Sequence, residues 1–177
     1  IAVSSCPTIT NSSSFSFYQI TPAANFIDYP TLGVDANALY IGGNIFTSSS
    51  GSFARTDGWV INKANLIAGS LTATYFANLA AGTGAGPLTP QGVSNDDPSA
   101  TEGYFIGVDN AAFSLLQIRR VSSPGGTPTI SGNISVTTAS TTYPMGATGS
   151  GGVPFQGATS GRTLDDLDDR LFQAQIT

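Results

Sequence analysis

Residues 28–46 read Asp-Tyr-Pro-Thr-Leu-Gly-Val-Asp-Ala-Asn-Ala-Leu-Tyr-Ile-Gly-Gly-Asn-Ile-Phe. Pro30 fixes its own φ angle and Gly33 permits an unusual backbone, so the first half of this stretch predicts a tight polar corner. From about Ala38 nearly every residue is apolar, which is typical of a strand packed between two layers. The stretch therefore predicts a corner that leads directly into a buried β-strand.

Further apolar or alternating segments flank this stretch. They predict strands at 1–4, 15–20, 58–62, 71–79, 102–109, 112–121 and 129–137, with one helical turn at 63–67. Two connections rich in Gly and Pro, at 80–99 and 139–163, separate the groups, and the first is expected to carry a short outer strand near Leu88. Residues 170–177 begin the apolar pattern again and stop without a partner strand. These patterns predict an all-β fold of antiparallel sheets.

The order of acidic corner, apolar strand, two more strands and long loop recurs along the chain. Asp28, Asp97 and Asp166 are spaced by 69 residues, while Ile41-Gly42 and Ile106-Gly107 are spaced by 65. A self-similar β-unit of this length is typical of a propeller blade. The expected units are 1–27, 28–96, 97–164 and 165–177, which amounts to about two complete blades and two partial ones in one incomplete β-propeller domain.

Four short motifs carry a family resemblance. They are Ala2-Val3-Ser4, Phe17-Tyr18-Gln19-Ile20, the Asp-Tyr-Pro-Thr-Leu-Gly corner and Leu164-Asp-Asp-Leu-Asp-Asp-Arg-Leu171. In this order they resemble motifs in a group of large secreted bacterial β-propeller proteins. The resemblance implies a propeller fold and a secreted or cell-surface location; it implies no activity, because many members have none assigned.

Propellers need about four blades or more to close. The blade count therefore predicts that this chain does not close a ring alone, and that the remaining blades come from a longer chain or from another polypeptide. Open strand edges and apolar faces would favour such pairing.

Composition excludes several classes of function. Six basic residues against eleven acidic ones give a net charge of −5, which disfavours nucleic acid as a partner. No apolar run reaches the roughly 20 residues that a membrane span requires. The chain has no histidine, which excludes a Ser-His-Asp triad and any zinc site with imidazole ligands, and the single Cys6 forms no internal disulfide.

General acid and base catalysis would therefore depend on carboxylates. Asp28, Asp97 and Glu102 are weak candidates for a glycoside hydrolase pair, with Asp35 and Asp109 as further carboxylates that a central site could use. The structural alternative is that Asp28 and Asp97 bind turn amides and fix the blade corners. An arginine clamp is poorly supported, since the arginines are dispersed and Arg119 and Arg120 must point to opposite faces of a strand.

Two kinds of ligand remain open. Calcium prefers carboxylate oxygens, and the acidic loops offer candidate ligands: Asp96, Asp97, Asp165, Asp166, Asp168 and Asp169. Solvated acidic turns are the alternative. Tyr29, Tyr143 and Phe155 lie in expected loops where they could stack on a glycan, or pack beneath their own loops instead.

The leading hypothesis is a non-catalytic extracellular β-propeller scaffold that recognises a surface, a protein or a glycan. One alternative is a carboxylate-based glycoside hydrolase or lyase whose site is completed by missing blades. Another is a structural subunit of an extracellular filament or surface layer. Whether Asp28, Asp97 and Glu102 converge on a pocket would separate the enzyme from the scaffold.

Overall fold

The computed structural model describes residues 1–20, 25–143, 153–154, 163–164 and 169–177. Its elements in chain order are β1 (Ala2–Ser4), a 3-10 turn (Ser12–Ser14), β2 (Phe15–Phe17), β3 (Asn25–Val34), β4 (Ala38–Thr47), β5 (Phe53–Asn62), α1 (Lys63–Ile67), β6 (Ala73–Ala81), β7 (Pro87–Gly92), β8 (Ser94–Asn95), β9 (Glu102–Asp109), β10 (Leu115–Ser122), β11 (Thr129–Ile130), β12 (Ile134–Thr137), β13 (Val153–Pro154), β14 (Thr163–Leu164) and β15 (Gln175–Ile176). The all-β fold is confirmed, and the expected helical turn at 63–67 is present as α1.

Two antiparallel sheets hold most of the strands. Sheet I has the order β3-β4-β5-β6, so each strand pairs with the next along the chain. Sheet II has the order β7-β9-β10, and its outer edge is formed in turn by β11 and β12, which pair with opposite ends of β10. Each sheet is therefore a meander in which sequence order matches spatial order. No closed ring of sheets is present in the described part of the chain.

The expected corner at residues 28–33 is wrong. These residues lie within β3, and a β-bulge interrupts the pairing of β3 with β4 between Asp28 and Thr31. Tyr29 adopts a positive φ of 52° just before Pro30. Proline is tolerated here because β3 is an edge strand and the bulge removes the need for its amide proton.

The short outer strand expected near Leu88 is also wrong in its position. β7 starts sheet II, its residues are mostly buried, and it packs across sheet I. The prediction failed because Gly and Pro were read as signs of an exposed loop, whereas here they allow a bulge and a close backbone approach. A new sheet thus begins at residue 87, so the expected unit boundary at 96 does not coincide with a boundary between sheets.

The bulges show how the two sheets correspond. In sheet II a bulge interrupts β7 between Leu88 and Gln91, and Thr89 has a positive φ of 45° just before Pro90. The ladder pairs Asp28–Asn44 and Thr31–Gly42 that flank the first bulge thus correspond to Leu88–Val108 and Gln91–Ile106 around the second. The offset is 60 residues between the first strands and 64 between the second strands.

The repeat spacing of 65 residues inferred from Ile-Gly is therefore wrong by one. The ladder aligns Gly42 with Ile106 and Tyr40 with Tyr104. A slip of one residue moves every side chain of a strand to the other face. The corrected register thus decides which faces of the two sheets are equivalent.

The sheets pack face to face, and the core lies between them. We call the side of each sheet that carries Tyr40 or its equivalent the front face, and the opposite side the back face. The buried Tyr40 ring on the front of sheet I meets Phe105 on the back of sheet II edge to face, with ring centroids 5.9 Å apart. Front therefore packs on back, and both sheets have the same orientation along the stack.

Glycines let the backbones approach closely at this interface. A Cβ atom built on Gly42 would lie 2.0 Å from the carbonyl oxygen of Pro90, and one built on Gly33 would lie 2.3 Å from the carbonyl carbon of Gly92. Polar contacts reinforce the approach, since Thr31 Oγ1 donates to the Pro90 carbonyl at 2.6 Å. Asn44 both donates to Thr89 Oγ1 and accepts from the Thr89 amide, each at 3.0 Å.

The carboxyl-terminal segment differs from its expected role. Residues 170–177 do not lack a partner, because β15 pairs in parallel with β8. The amino-terminal strands β1 and β2 pair with each other as an antiparallel hairpin. Most of the long loop expected at 139–163, together with Asp166 of the third restart, lies outside the described residues.

Candidate interaction faces

Two apolar faces of the sheet stack are not covered by the other sheet. The front of sheet II presents Tyr104, Ile106 and Ile118, which are half-buried, and the more exposed Ile134 and Val136. On the front of sheet I, the equivalent positions are Tyr40, Gly42, Gly58 and, for Ile134, Phe76, all of which lie against sheet II or its core. The front of sheet II is therefore the equivalent of a face that is buried once in this same chain.

A groove of about 240 Å³ runs over the front of sheet II. Its floor is formed by Tyr104, Ile106 and Ile118, and the segment 174–176 forms one wall. Burial and the nearby Glu102 carboxylate raise the pKa of Tyr104, in that order of importance. The groove is apolar except at the rim, where Arg120 forms an ion pair with Glu102 at 3.5 Å.

The back of sheet I is the second uncovered face. It presents Leu32, Ile41 and Tyr75, and Leu32 and Tyr75 are 60% and 47% exposed. Trp59 stacks on Tyr75 with ring centroids 5.3 Å apart and is itself buried. Large apolar side chains on an outer sheet face are typical of a surface that another layer covers.

A buried carboxylate fixes the turn that leads into the front of sheet I. Asp35 Oδ1 accepts hydrogen bonds from the amides of Asn37 and Ala38, both at 2.7 Å. Its Oδ2 accepts from the Tyr40 hydroxyl at 2.5 Å, and Lys63 Nζ donates to the Asp35 carbonyl oxygen. Burial and the Asp35 carboxylate raise the pKa of Tyr40 well above its ordinary value.

This cluster predicts a loss of stability in alkali. The unfolded chain releases the Tyr40 proton near pH 10, whereas the folded protein retains it, so the stabilisation is complete below pH 10 and falls as the pH rises. We expect Tyr40→Phe to reduce the slope of unfolding free energy against pH, above pH 10, by about 1.4 kcal/mol per pH unit. At pH 7 the same variant should lose about 1 to 2 kcal/mol, because Asp35 loses a donor.

Urea titrations of both proteins at several pH values between 7 and 12 measure this slope. Equal slopes in the two proteins would show that Tyr40 does not retain its proton in the folded state.

A second buried carboxylate lies where β5 meets a bulge in β6. Asp57 is fully buried and accepts from Arg55 Nε at 2.9 and 3.1 Å, from the Tyr75 hydroxyl at 2.6 Å and from the Asn78 amide at 3.0 Å. The bond to Asp57 raises the pKa of Arg55, while burial, followed by the bond to Asp57, raises the pKa of Tyr75. Asp57 therefore anchors the edge of the back face.

The carboxylates considered for catalysis have separate surroundings. Asp28 is exposed on β3, and Asp97 lies in a turn where its Oδ1 accepts from the amide and hydroxyl of Ser99. These bonds lower the pKa of Asp97. Glu102 contacts Tyr104, Ser122 and Arg120 on its own sheet. No hydrogen bond among the described residues joins these three carboxylates.

Asp35 and Asp109 bind backbone amides rather than pointing to an open cleft. Asp109 is buried; its Oδ1 accepts from the Ala111 amide, and its Oδ2 accepts from the Gly86 amide and from Gln117 Nε2 at 2.6 Å. Arg119 and Arg120 point to opposite faces, as expected: Arg119 donates to the Leu79 carbonyl on sheet I, while Arg120 pairs with Glu102. Burial lowers the pKa of Arg119.

The aromatic candidates for glycan stacking already contact other side chains. The guanidinium of Arg170 lies 5.8 Å from the centre of the Tyr29 ring. Tyr143 meets Phe113 edge to face at 4.8 Å beside a small cavity of about 130 Å³ that Asp109 and Asn110 also line. Phe155 lies outside the described residues.

The calcium hypothesis is not tested. Asp96 accepts a long hydrogen bond from Gln175, and Asp97 binds its own turn. Asp169 lines the small cavity near Tyr143, whereas Asp165, Asp166 and Asp168 lie outside the described residues. Within the described part of the chain, no three acidic or other metal-binding side chains cluster around a common point, and no helix there is long and apolar enough to cross a bilayer.

Comparisons with models of known families, with characterised proteins and with solved structures found no match for this chain. The function is therefore inferred from the faces themselves. Sequence reasoning missed both faces and the Asp57 cluster. A signal for the bulge existed, since Tyr-Pro-Thr-Leu-Gly-Val at 29–34 matches Thr-Pro-Gln-Gly-Val at 89–93.

Proposed function

We propose that this chain forms consecutive blades of an extracellular β-propeller that acts as a non-catalytic scaffold for recognition of a surface, a protein or a glycan. The observation that carries the proposal is the same orientation of two equivalent meanders, with front packed on back. That arrangement continues by simple repetition, since the front of sheet II and the back of sheet I are both apolar. The resemblance of the Asp-Tyr-Pro-Thr-Leu-Gly motif to secreted bacterial propeller proteins supports the location.

The polar clusters support a structural role over catalysis. Asp35, Asp57 and Asp109 each accept bonds from backbone amides, and such carboxylates hold turns and bulges in place. A glycoside hydrolase needs two carboxyl groups on either side of one bond. Asp28, Asp97 and Glu102 instead lie in an exposed strand, a self-capped turn and an ion pair.

The test compares binding and cleavage on one preparation of the assembled protein. We expect glycan or protein binding without turnover of chromogenic glycosides, and no formation of unsaturated products from acidic polysaccharides. Glu102→Gln and Asp28→Asn should leave binding unchanged. Turnover that either substitution abolishes would contradict the scaffold and favour the hydrolase or lyase.

A filament or surface-layer subunit is the second candidate, and the two open apolar faces favour it. Head-to-tail contacts that do not close into a ring generate open filaments. Light scattering would then increase continuously with protein concentration, whereas a closed ring would reach a fixed particle mass.

A further inference from the structure

We propose that the front of sheet II binds the back of sheet I of a second copy of this chain, so that copies associate head to tail. This inference rests on the stacking proposed above and names the partner. The internal interface supplies the template, because it joins the front of one sheet to the back of an equivalent sheet. A second copy offers that same back face.

The two open faces suit each other in chemistry and in size. The front of sheet II is apolar at Ile106 and Ile118, where the front of sheet I has Gly42 and Gly58. The back of sheet I has Leu32 where the back of sheet II has Gly92. The backbones would therefore lie further apart between copies than within one, near the usual sheet separation of about 10 Å.

Both faces have ionic groups at their margins and apolar groups at their centres. Glu102 pairs with Arg120 beside the front groove, and Asp57 pairs with Arg55 beside Tyr75 on the back. Both charges of each pair are satisfied within one copy, so association buries apolar surface without leaving an unpaired ion.

The contact is heterologous, which limits the possible assemblies. A head-to-tail contact forms a ring if its rotation closes and a filament if it does not. Each copy contributes two large sheets, so rings of two, three or four copies would contain about four to eight blades, the range of known propellers.

The test uses the 177-residue chain and two face variants. Leu32→Asp places a charge on the back face and Ile134→Asp places one on the front; these positions are 60% and 43% exposed, so the fold should tolerate the change. Light scattering coupled to size exclusion should show the wild-type chain above its monomer mass of 18.0 kDa and each variant alone at that mass. An equimolar mixture should form a dimer that grows no further, because it has one intact pair of faces.

Ile9→Asp is the matched control, since Ile9 is 57% exposed but lies outside both sheets, and it should associate like the wild type. If circular dichroism shows that either face variant is unfolded, Tyr75→Asp and Val136→Asp take their places. A wild-type chain that stays monomeric at about 100 µM, near the upper range of ordinary affinities for weak complexes, would overturn the inference. So would a variant that still associates alone, or a mixture that stays monomeric. None of these outcomes bears on blades supplied by other polypeptides, which the binding and cleavage assays address separately.

Discussion

Gly42→Ala should destabilise the protein by at least about 3 kcal/mol, at the upper end of the cost of overpacking a core. The added methyl group would lie 2.0 Å from the Pro90 carbonyl oxygen and 2.9 Å from its carbonyl carbon. Both are backbone atoms, so no side-chain rotation relieves the contact. The two sheets would have to separate, which would also weaken the bond between Thr31 and the Pro90 carbonyl.

Urea denaturation followed by the single Trp59 measures this loss. Gly132→Ala is the matched control, because no heavy atom lies within 4 Å of its added Cβ, and it should change stability by less than about 0.5 kcal/mol. If the two glycine variants were equally stable, the close approach of the sheets at Gly42 would be wrong.

Asp57→Ala should cost about 3 to 5 kcal/mol, the usual cost of removing one partner from a buried ion pair. The substitution leaves the Arg55 guanidinium, the Tyr75 hydroxyl and the Asn78 amide without their shared acceptor. Because these groups hold the bulge of β6 against β5, we expect the loss to appear as local opening of β6 as well as reduced global stability.

Hydrogen exchange at β6 amides and the midpoint of thermal unfolding test this expectation. Asp28→Ala serves as the control, since Asp28 is an exposed carboxylate on a strand of the same sheet and its removal should change stability by less than about 0.5 kcal/mol. Similar losses in the two variants would mean that Asp57 is not an anchor.

Strand positions could be predicted because local patterns determine them. The alternation at 71–79 and the apolar runs at 38–46 and 102–109 correspond to β6, β4 and β9. The helical turn α1 could also be placed, between the end of an apolar strand and Gly69. Such patterns record which faces are buried within one segment, and they need no knowledge of distant partners.

The register and the position of β7 could not be predicted in the same way. Pro90 and Gly92 are read locally as loop residues, but the backbone of sheet I approaches them and turns them into core. The acidic residues used to align the repeat were misleading, since Asp28 is exposed on a strand and Asp97 caps a turn. The conserved geometry is instead a bulge with a positive φ before proline, of which the sequence records little more than Pro30 and Pro90.

The candidate faces could not be predicted either, because openness is a property of the assembled sheets. Ile41 and Ile106 are both apolar residues before glycine, yet one lies on a back face and the other on a front face. Only the ladder with its bulges separates them, through the one-residue difference between offsets of 64 and 65.

An experimental structure of the assembled protein, by electron cryomicroscopy or crystallography, tests the central claim most directly. The decisive region is the front of sheet II at Tyr104, Ile106 and Ile118. The account predicts that the back face of another four-stranded antiparallel sheet covers these residues, in the orientation already seen between sheets I and II. A front face left open to solvent in the assembly, or one packed against an equivalent front face by two-fold symmetry, would contradict it.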